Sequence, residues 1–586
     1  MLFQLRKKWY VLIPLILVAV VYLFTAGGMP IYDDGDALYS HISQRMAMTG
    51  DWVTPYADGE RFLDKPPILY WLTAASYHVF GYHEFAARFP SVLAVLGIVG
   101  LLCALGRRAG GVEAGFIAGA ASAFCIGTFL FTRMVFPDVF FVFFLTLALT
   151  AFLGWHRNER NPVAPALLFY AAMAGAVLSK GLIGLFFPAA IICLFLFWSR
   201  DFRRLKHFHI GKGTVLFLVL ALPWHILAAV RNPGFLWYYF INEQVLRFLG
   251  RRQPVDYESI SLPIFWALIL VWLFPWSVFL PAIRHVWREA VSRSMESRDI
   301  VRLCVCWAFV ILVFFSISSR IEHYSMPLFP PLALLTGVAL SSSGAFAVST
   351  RRSVAWGFAA LGILGLVIAL LTISGVVWLS LETSGQPMDE ISASRTYAYK
   401  YYFGPLFEMP ADIVSRLKAP LIGTCCLLAL GLTGAWLLNR KGARLAAVVA
   451  LNLVMAGFCF FTWQSLGICG EILSSRQFGQ KLEQLYREGD IAVVLGDFET
   501  ANSINFYSSI PLHVYKGSAA LLQWGMSYPD APQRLFSEES FESRWQSEER
   551  TFLLTPDDQA DALKLPFSYT VMRSGNRVLF CNQKIP

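Results

Sequence analysis

Carboxylates and cations recur at a few short stretches of this chain, in a spacing suited to chemistry on a phosphorylated substrate. "YDDGDALYSHISQRMAMTGDW" (32–52) sets Asp33, Asp34 and Asp36 within four positions. "FLDKPPILYW" adds Asp64 and Lys65, and "FTRMVFPDVFF" (131–141) carries Asp138. "LSKGLIG" supplies Lys180, and "WYYFINEQVLRFLGRRQPVDYE" (237–258) supplies Glu243, Arg247, Arg251 and Arg252. "SSRIEHYSMPLFP" (318–330) brings Arg320, Glu322, His323 and Tyr324. Cations of this kind stabilise the negative charge of a departing phosphate. A carboxylate serves as general base for an acceptor hydroxyl, or holds a cation in place. Each residue alone has a structural rival: helix capping for the acids, snorkelling for Lys65, a structural hydrogen bond for His323. The joint pattern therefore rests on whether the elements bring them to one place.

Those elements are membrane spans. Of the 586 residues 56% are hydrophobic and 15% charged, and the mean hydropathy is +0.54. A soluble chain carries roughly 25% charge, so the class is integral membrane. Apolar runs recur near 9–26, 86–106, 112–131, 139–155, 163–179, 181–198, 213–230, 262–283, 301–319, 325–341, 354–381, 419–438 and 443–466. Most approach the ~20 residues that cross a bilayer as a helix, which predicts about thirteen spans and excludes a β-barrel. The first run is longer than a signal-peptide core and is read as a retained span. Lys- and Arg-rich loops mark the cytoplasmic side. With Arg6, Lys7 and Lys8 inside, alternate loops give Arg107-Arg108, 156–161, 199–212, 284–302, Arg351-Arg352 and 439–444, all basic. The same alternation puts every residue of the acid–cation set outside.

Two further features complete the organisation. Residues 37–50 place Leu38, Ile42, Met46 and Ala47 on one face, predicting a helix on the membrane surface that ends at Gly50. From about 467 the chain has ordinary polarity. It reads as helix, strand, helix and strand through "QFGQKLEQLYREGD", "IAVVLG", "TANSINFYSS" and "LHVYKG", a small external α/β domain. Cys469 and Cys581 fall there, and an oxidising compartment predicts a disulfide between them. The net charge of +9 is spread over loops without a basic tail, so nucleic acid is not expected as a partner. Few charges fall inside the spans, which argues against a transporter or flippase of lipid-linked sugars.

The stretch "DDGDALYSHISQRMAMTGDW…LDKPPILYW", with "FPDVFF", "LSKG", "LPWH…WYYFINEQVLRF" and "HYSMPLFPPLALL", strongly resembles the polyprenyl-phosphate-sugar glycosyltransferases of the protein O-mannosyltransferase and lipid A aminoarabinose transferase superfamily, over about residues 10–340. The resemblance implies an α-helical polytopic GT-C fold of residues 1–466, with interfacial helices in 27–85 and a soluble periplasmic α/β domain at 467–586. It implies inverting transfer of a sugar from undecaprenyl (polyprenyl) phosphate to lipid A or another envelope glycan, with protein as the alternative acceptor. The expected location is a bacterial inner membrane, with the N-terminus cytoplasmic and the C-terminal domain periplasmic. The partners are then a polyprenyl-phosphate-linked sugar donor, a lipid or glycan acceptor and membrane lipid. By the same resemblance Asp34, Asp36 and Asp138 are expected as the catalytic acids and Lys65 and Arg247 as donor-phosphate ligands, while Lys180 and Arg320, cations on the same outer face, are expected to bind that phosphate with them. Asp33, Asp64, Glu243, His323 and Tyr324 are substrate contacts. The family's acidic pair is contiguous, whereas Gly35 intervenes here, which leaves Asp34 and Asp36 both open for the main role. Some relatives bind a metal beside a histidine that Gln244 replaces here, so no cofactor or metal is expected.

Overall fold

The long apolar runs fold as helices because a bilayer leaves backbone polar groups no partner but one another. A computed structural model describes residues 2–158, 160, 162–255, 259–342, 346–381, 411–560, 563 and 565–585. The external segment predicted at 382–418 and the end of 237–258 lie largely or partly outside these. Among the described residues eight helices are long and apolar enough to span a membrane. The helices Leu262–Trp272 and Trp276–Ala290 are together long and apolar enough to cross, but are bent by 98° at Leu273–Pro275, the geometry of a broken span or a re-entrant loop. Other expected spans are shorter. The run 112–131 divides into Val112–Ala123 and Ile126–Phe131, and 325–341 becomes a 3-10 turn followed by Phe329–Leu340. The chain is a multi-pass membrane protein.

Small residues let these helices touch. A Cβ on Gly115 would lie 2.4 Å from the carbonyl oxygen of Cys103, and one on Gly337 would lie 2.6 Å from the amide nitrogen of Ala118. Backbone contact of this kind is how membrane helices associate where no hydrophobic drive separates helix from lipid. The two ends of the bundle differ chemically. At one end the basic loops pair with the few acids there: Arg108 with Glu296 at 2.6 Å, Arg157 with Asp299 at 3.7 Å. The acid–cation set gathers at the other end, under the C-terminal domain.

That domain starts later than predicted, because the last span, Arg444–Leu473, runs on past residue 466. Its strands follow a hairpin of the first loop, β1 (Tyr56–Ala57) and β2 (Glu60–Arg61). They are β3 (Ile491–Leu495), β4 (Leu512–Tyr515), β5 (Leu535–Phe536), β6 (Thr551–Pro556), β7 (Tyr569–Ser574) and β8 (Arg577–Cys581). They form one sheet in the order β5-β4-β3-β6-β8-β7, parallel from β5 to β6 and antiparallel at β8 and β7. The predicted disulfide is absent: Cys469 and Cys581 are both free. Cys581 is buried in the sheet core beside Phe552 and Leu579, while Cys469 packs in a separate cluster with Ile413, Leu417 and Ile472.

The helix predicted on the membrane surface forms as Gly35–Thr49, closed by Gly50 in the left-handed conformation. Its polar face does not meet water. Ser40, His41, Ser43 and Gln44 are buried with the apolar residues, and Gln44 Nε2 donates to the Phe506 carbonyl of the C-terminal domain. The helix is sandwiched between the bundle and that domain. The β1–β2 hairpin docks there too, through Arg61 on Asp530 and Arg534 beside Asp58.

Candidate active site

The site is built around two buried carboxylates and the cations they hold. Glu243 sits on a π-helix, Trp237–Leu246, whose wide turns are a common feature of functional sites. Its Oε2 lies 2.6 Å from Arg247 Nη2 and 3.7 Å from Lys65 Nζ, and its Oε1 accepts from Arg252 Nε. Asp64 accepts from Arg252 Nη2 at 2.6 Å and from the Tyr238 hydroxyl at 2.7 Å. Arg252 therefore ties the acid before the motif lysine to the acid of the π-helix. Burial alone would raise the pKa of Glu243, but Arg247, Lys65 and Arg252 outweigh it and hold it at about 2. Burial and then Glu243 raise that of Asp64, against the pull of Arg252. Lys65 is pushed down by burial and by Arg247.

A second centre adjoins the first. Asp138 opens the helix Asp138–His156, and Lys180 closes the helix Val163–Lys180; the two form an ion pair. The Lys180 ammonium also lies 4.3 Å from the centre of the Tyr324 ring. His323 Nε2 is 3.9 Å from Asp138 Oδ2. Burial outweighs the attraction of Asp138 and holds His323 at about 4, so the imidazole is neutral at neutral pH. The turn after Lys180 needs glycine: Gly181 has φ +75°, and a Cβ there would lie 2.6 Å from the Gln244 amide nitrogen. Gln244 also accepts from the Leu182 amide at 3.1 Å, so it braces the turn that presents Lys180.

Between the two centres opens a cavity of about 580 Å³, counting its mouth. Lys65, Lys180, Glu243, Arg247 and Tyr324 line its polar part, and Ile183, Phe248, Phe314 and Phe315 its apolar part. A charged pocket continuous with an aromatic wall suits a phosphate attached to a hydrocarbon chain. Across both centres the four cations Lys65, Lys180, Arg247 and Arg252 face three carboxylates, Asp64, Asp138 and Glu243.

Not every predicted residue comes to this cavity. Arg320 does not: its guanidinium is spent on the carbonyls of Ile260 (2.9 Å), Ser318 (2.9 Å) and Phe315 (3.2 Å), which locks the turn. Asp36 is 2% exposed. Its Oδ2 lies 3.0 Å from Arg88 Nη2 and accepts from the Tyr32 amide, and its Oδ1 accepts from the Val135 amide at 2.8 Å. It thus anchors the segment leading to Asp138 rather than facing it. Asp33 is used by the C-terminal domain, accepting from the Ser503 amide, Ser475 and Arg577. Asp34 alone of the three is exposed. It precedes Gly35, where a Cβ would lie 2.9 Å from the Phe136 ring, and Phe136 stacks on His323 at 5.3 Å. Sequence reasoning gave no site role to Arg252, passed over Arg88, and named Gln244 only as a departure from a family histidine. The first stood in a quoted basic stretch without a partner, and the second is a charge inside an apolar helix, which is itself a signal.

The comparisons with known proteins agree with this geometry. Residues 64–226 match the family described as dolichyl-phosphate-mannose-protein mannosyltransferase. The whole chain is 25% identical to the undecaprenyl phosphate-alpha-4-amino-4-deoxy-L-arabinose arabinosyl transferase of Erwinia tasmaniensis, covering 99% of that protein. It is 29% identical to a Pseudomonas aeruginosa protein of the same name, over 63% of this chain and 65% of that one. In fold it is similar to the crystal structure of ArnT from Cupriavidus metallidurans bound to undecaprenyl phosphate, with a TM-score of 0.79, 23% identity and 98% of each chain covered. These similarities place the fold with the GT-C glycosyltransferases that use polyprenyl-phosphate sugars. Within that superfamily its full-length similarity lies with the arabinosyl transferases.

Proposed function

We propose that the protein transfers a sugar from undecaprenyl phosphate, or another polyprenyl phosphate, to lipid A or another envelope glycan on the periplasmic face of a bacterial inner membrane. The observation that carries this reading is the cavity in which Lys65, Lys180 and Arg247 converge beside an aromatic wall. The donor phosphodiester binds against the three cations and its lipid lies along Phe248, Phe314 and Phe315. An acceptor oxygen attacks the anomeric carbon from the face opposite the phosphate, giving inversion. The bond from the anomeric carbon to the phosphate oxygen breaks, and its electron pair leaves with the phosphate. The cations take up that added charge. Asp138 and Glu243 hold the cations in place.

Where the acceptor is a hydroxyl, Asp34, the most exposed of the three aspartates, receives its proton. Where the acceptor is a phosphate, no base is required and Asp34 orients the substrate. No metal enters this scheme, because Asp64 and Glu243 share Arg252 as their counter-charge. The basic end of the bundle faces the cytoplasm, which sets the N-terminus inside and the C-terminal domain outside.

The test is sugar transfer by purified protein carrying Asp34→Asn, Asp36→Asn or both, with undecaprenyl phosphate-linked aminoarabinose as donor and lipid A as acceptor. Asp34→Asn should lose turnover on a hydroxyl acceptor. Full activity in both single variants and in the double variant would remove the catalytic assignment. Mass spectrometry of lipid A, glycans and envelope proteins from cells with and without the protein then identifies the acceptor.

A further inference from the structure

The backbone of Asp34 is held in a conformation that an aspartate does not adopt unaided. Its φ is 73° and its ψ −137°, close to a region that only glycine populates freely. Such a geometry persists only where the surroundings over-determine it. Here the surroundings belong to the C-terminal domain. The Asp34 amide donates to Asn502 Oδ1 at 2.8 Å and to the Glu499 carbonyl at 2.9 Å. Asn502 Nδ2 donates in turn to the Asp34 carbonyl at 3.0 Å. One side-chain amide thus closes on both polar groups of one residue, as a neighbouring strand would.

The usual role of Asn502 is displaced by this arrangement. It stands at the N-cap of the helix Ser503–Ser508 but makes no capping hydrogen bond of its own. The Ser503 amide is capped instead by Asp33, from the other domain, at 2.9 Å. The exchange is reciprocal: Asp33 caps the helix, and the residue that would have capped it grips Asp34. Asn502 is 2% exposed, so its amide has no water to turn to. Asp33 is fixed as well, by Leu473, Ser475 and Arg577.

We propose that Asn502 is a positioning residue for sugar transfer, and that through it the soluble domain holds Asp34 in its working conformation. The proposal rests on the role given above to Asp34. Loss of the clamp lets residue 34 relax to an ordinary backbone conformation and moves its carboxylate, while the cation cavity, built on other elements, stays formed. The effect should fall on kcat and spare donor binding.

Full-length Asn502→Ala should lose about ten- to hundredfold in kcat for transfer from undecaprenyl phosphate-linked aminoarabinose, the range set by one strained conformation. Its KM for the donor and its affinity for undecaprenyl phosphate should stay within about twofold of the wild type. In an Asp34→Ala background the same change should add nothing. Asn502→Asp keeps an acceptor for the Asp34 amide but places a second carboxylate beside the first, so the acidic limb of the kcat profile should move to higher pH. Hydrogen exchange of the amides at 31–36, which needs no substrate, should quicken in Asn502→Ala. The proposal is overturned by unchanged exchange, by kcat within twofold of the wild type, by an unmoved pH profile in Asn502→Asp, or by parallel loss of turnover and lipid binding. Full activity in Asp34→Asn would instead remove the role given to Asp34. Loss there with none in Asn502→Ala removes only the clamp.

Discussion

Replacement of Arg247 by alanine tests the phosphate site most directly. Arg247 lines the cavity and reaches Glu243 at 2.6 Å, so it is preorganised and only 14% exposed at its side chain. Two unit charges about 4 Å apart interact by roughly 4 kcal/mol at the effective dielectric of partly buried sites. Part of that attraction is already committed to Glu243, and desolvation of the lipid phosphate opposes the rest. The net worth of a charge-assisted hydrogen bond, about 1.5–3 kcal/mol, is the better figure. At about 1.4 kcal/mol per decade this weakens undecaprenyl phosphate binding by about ten- to 150-fold. Arg247→Lys keeps the charge and loses the fork, so its loss should be intermediate. The assay is the Kd for undecaprenyl phosphate at fixed ionic strength, with kcat/KM measured alongside. The remaining cations keep the cavity charged, so binding weakens rather than vanishes. A Kd for Arg247→Ala within twofold of the wild type would refute the assignment of this cavity to the lipid phosphate.

Three further outcomes follow from the same geometry. Lys180→Met removes the ion-pair partner of Asp138 and a cation of the cavity and should lower kcat by about a hundredfold, more than it raises KM, as read in steady-state transfer assays. Arg88→Met strands the buried carboxylate of Asp36 and the carbonyls of Met29 and Pro30. It should cost about 3–5 kcal/mol, seen as a lower melting temperature in detergent, and adding Asp36→Asn should recover part of the loss. Glu60 is 1% exposed and among the described residues neither carboxylate oxygen has a hydrogen-bond partner; burial raises its pKa from 4.5 to about 7, against Arg534. The folded state therefore holds this proton more tightly than the unfolded one. Stability from it is complete below about pH 4.5 and is lost as pH rises through about 7. Glu60→Gln should raise the melting temperature at pH 8 by more than at pH 5, and an equal shift at both would contradict the burial of a charged form.

Legibility in the sequence divided along physical lines. Lys65, Lys180, Glu243 and Arg247 were found because loop charge fixes sidedness, and sidedness alone groups residues from distant loops. The first two helices and first two strands of the C-terminal domain were legible because each carries its own periodicity, whereas the strands and helix beyond residue 530 were not singled out. The three aspartates were not separable, since spacing shows that Asp33, Asp34 and Asp36 are close but not what each faces. Arg88, which consumes Asp36, is 52 residues further on, and Asn502, which grips Asp34, is 468 residues further on. The surface helix failed for a related reason. Its apolar face reads as amphipathic, and nothing local shows that Ser40, His41 and Gln44 are covered by a domain at the far end of the chain. Arg320 looked like a phosphate ligand because the sequence cannot show that four backbone carbonyls already surround its guanidinium.

The carboxylates of the cavity have a role that their position near the cations first obscures. A phosphodiester carries one negative charge, and the phosphate that departs from the sugar carries up to two, so the site must meet a charge that grows during the reaction. Cations left loose in solvent would have to reorganise as that charge appears, which forfeits much of the stabilisation. Glu243, Asp64 and Asp138 remove that cost by fixing Lys65, Arg247, Arg252 and Lys180 before the donor arrives. The cations so fixed keep the resting cavity attractive to a singly charged phosphodiester. Arg247, Lys65 and Arg252 hold the pKa of Glu243 low, which favours its ionised form as their anchor. An acid so placed cannot act as the base for an acceptor hydroxyl, because its lone pairs are spent and its proton affinity is too low. On the reading proposed above, proton transfer from a hydroxyl acceptor falls to a carboxylate outside the cation cluster, and the exposed Asp34, whose backbone the soluble domain holds, is the candidate.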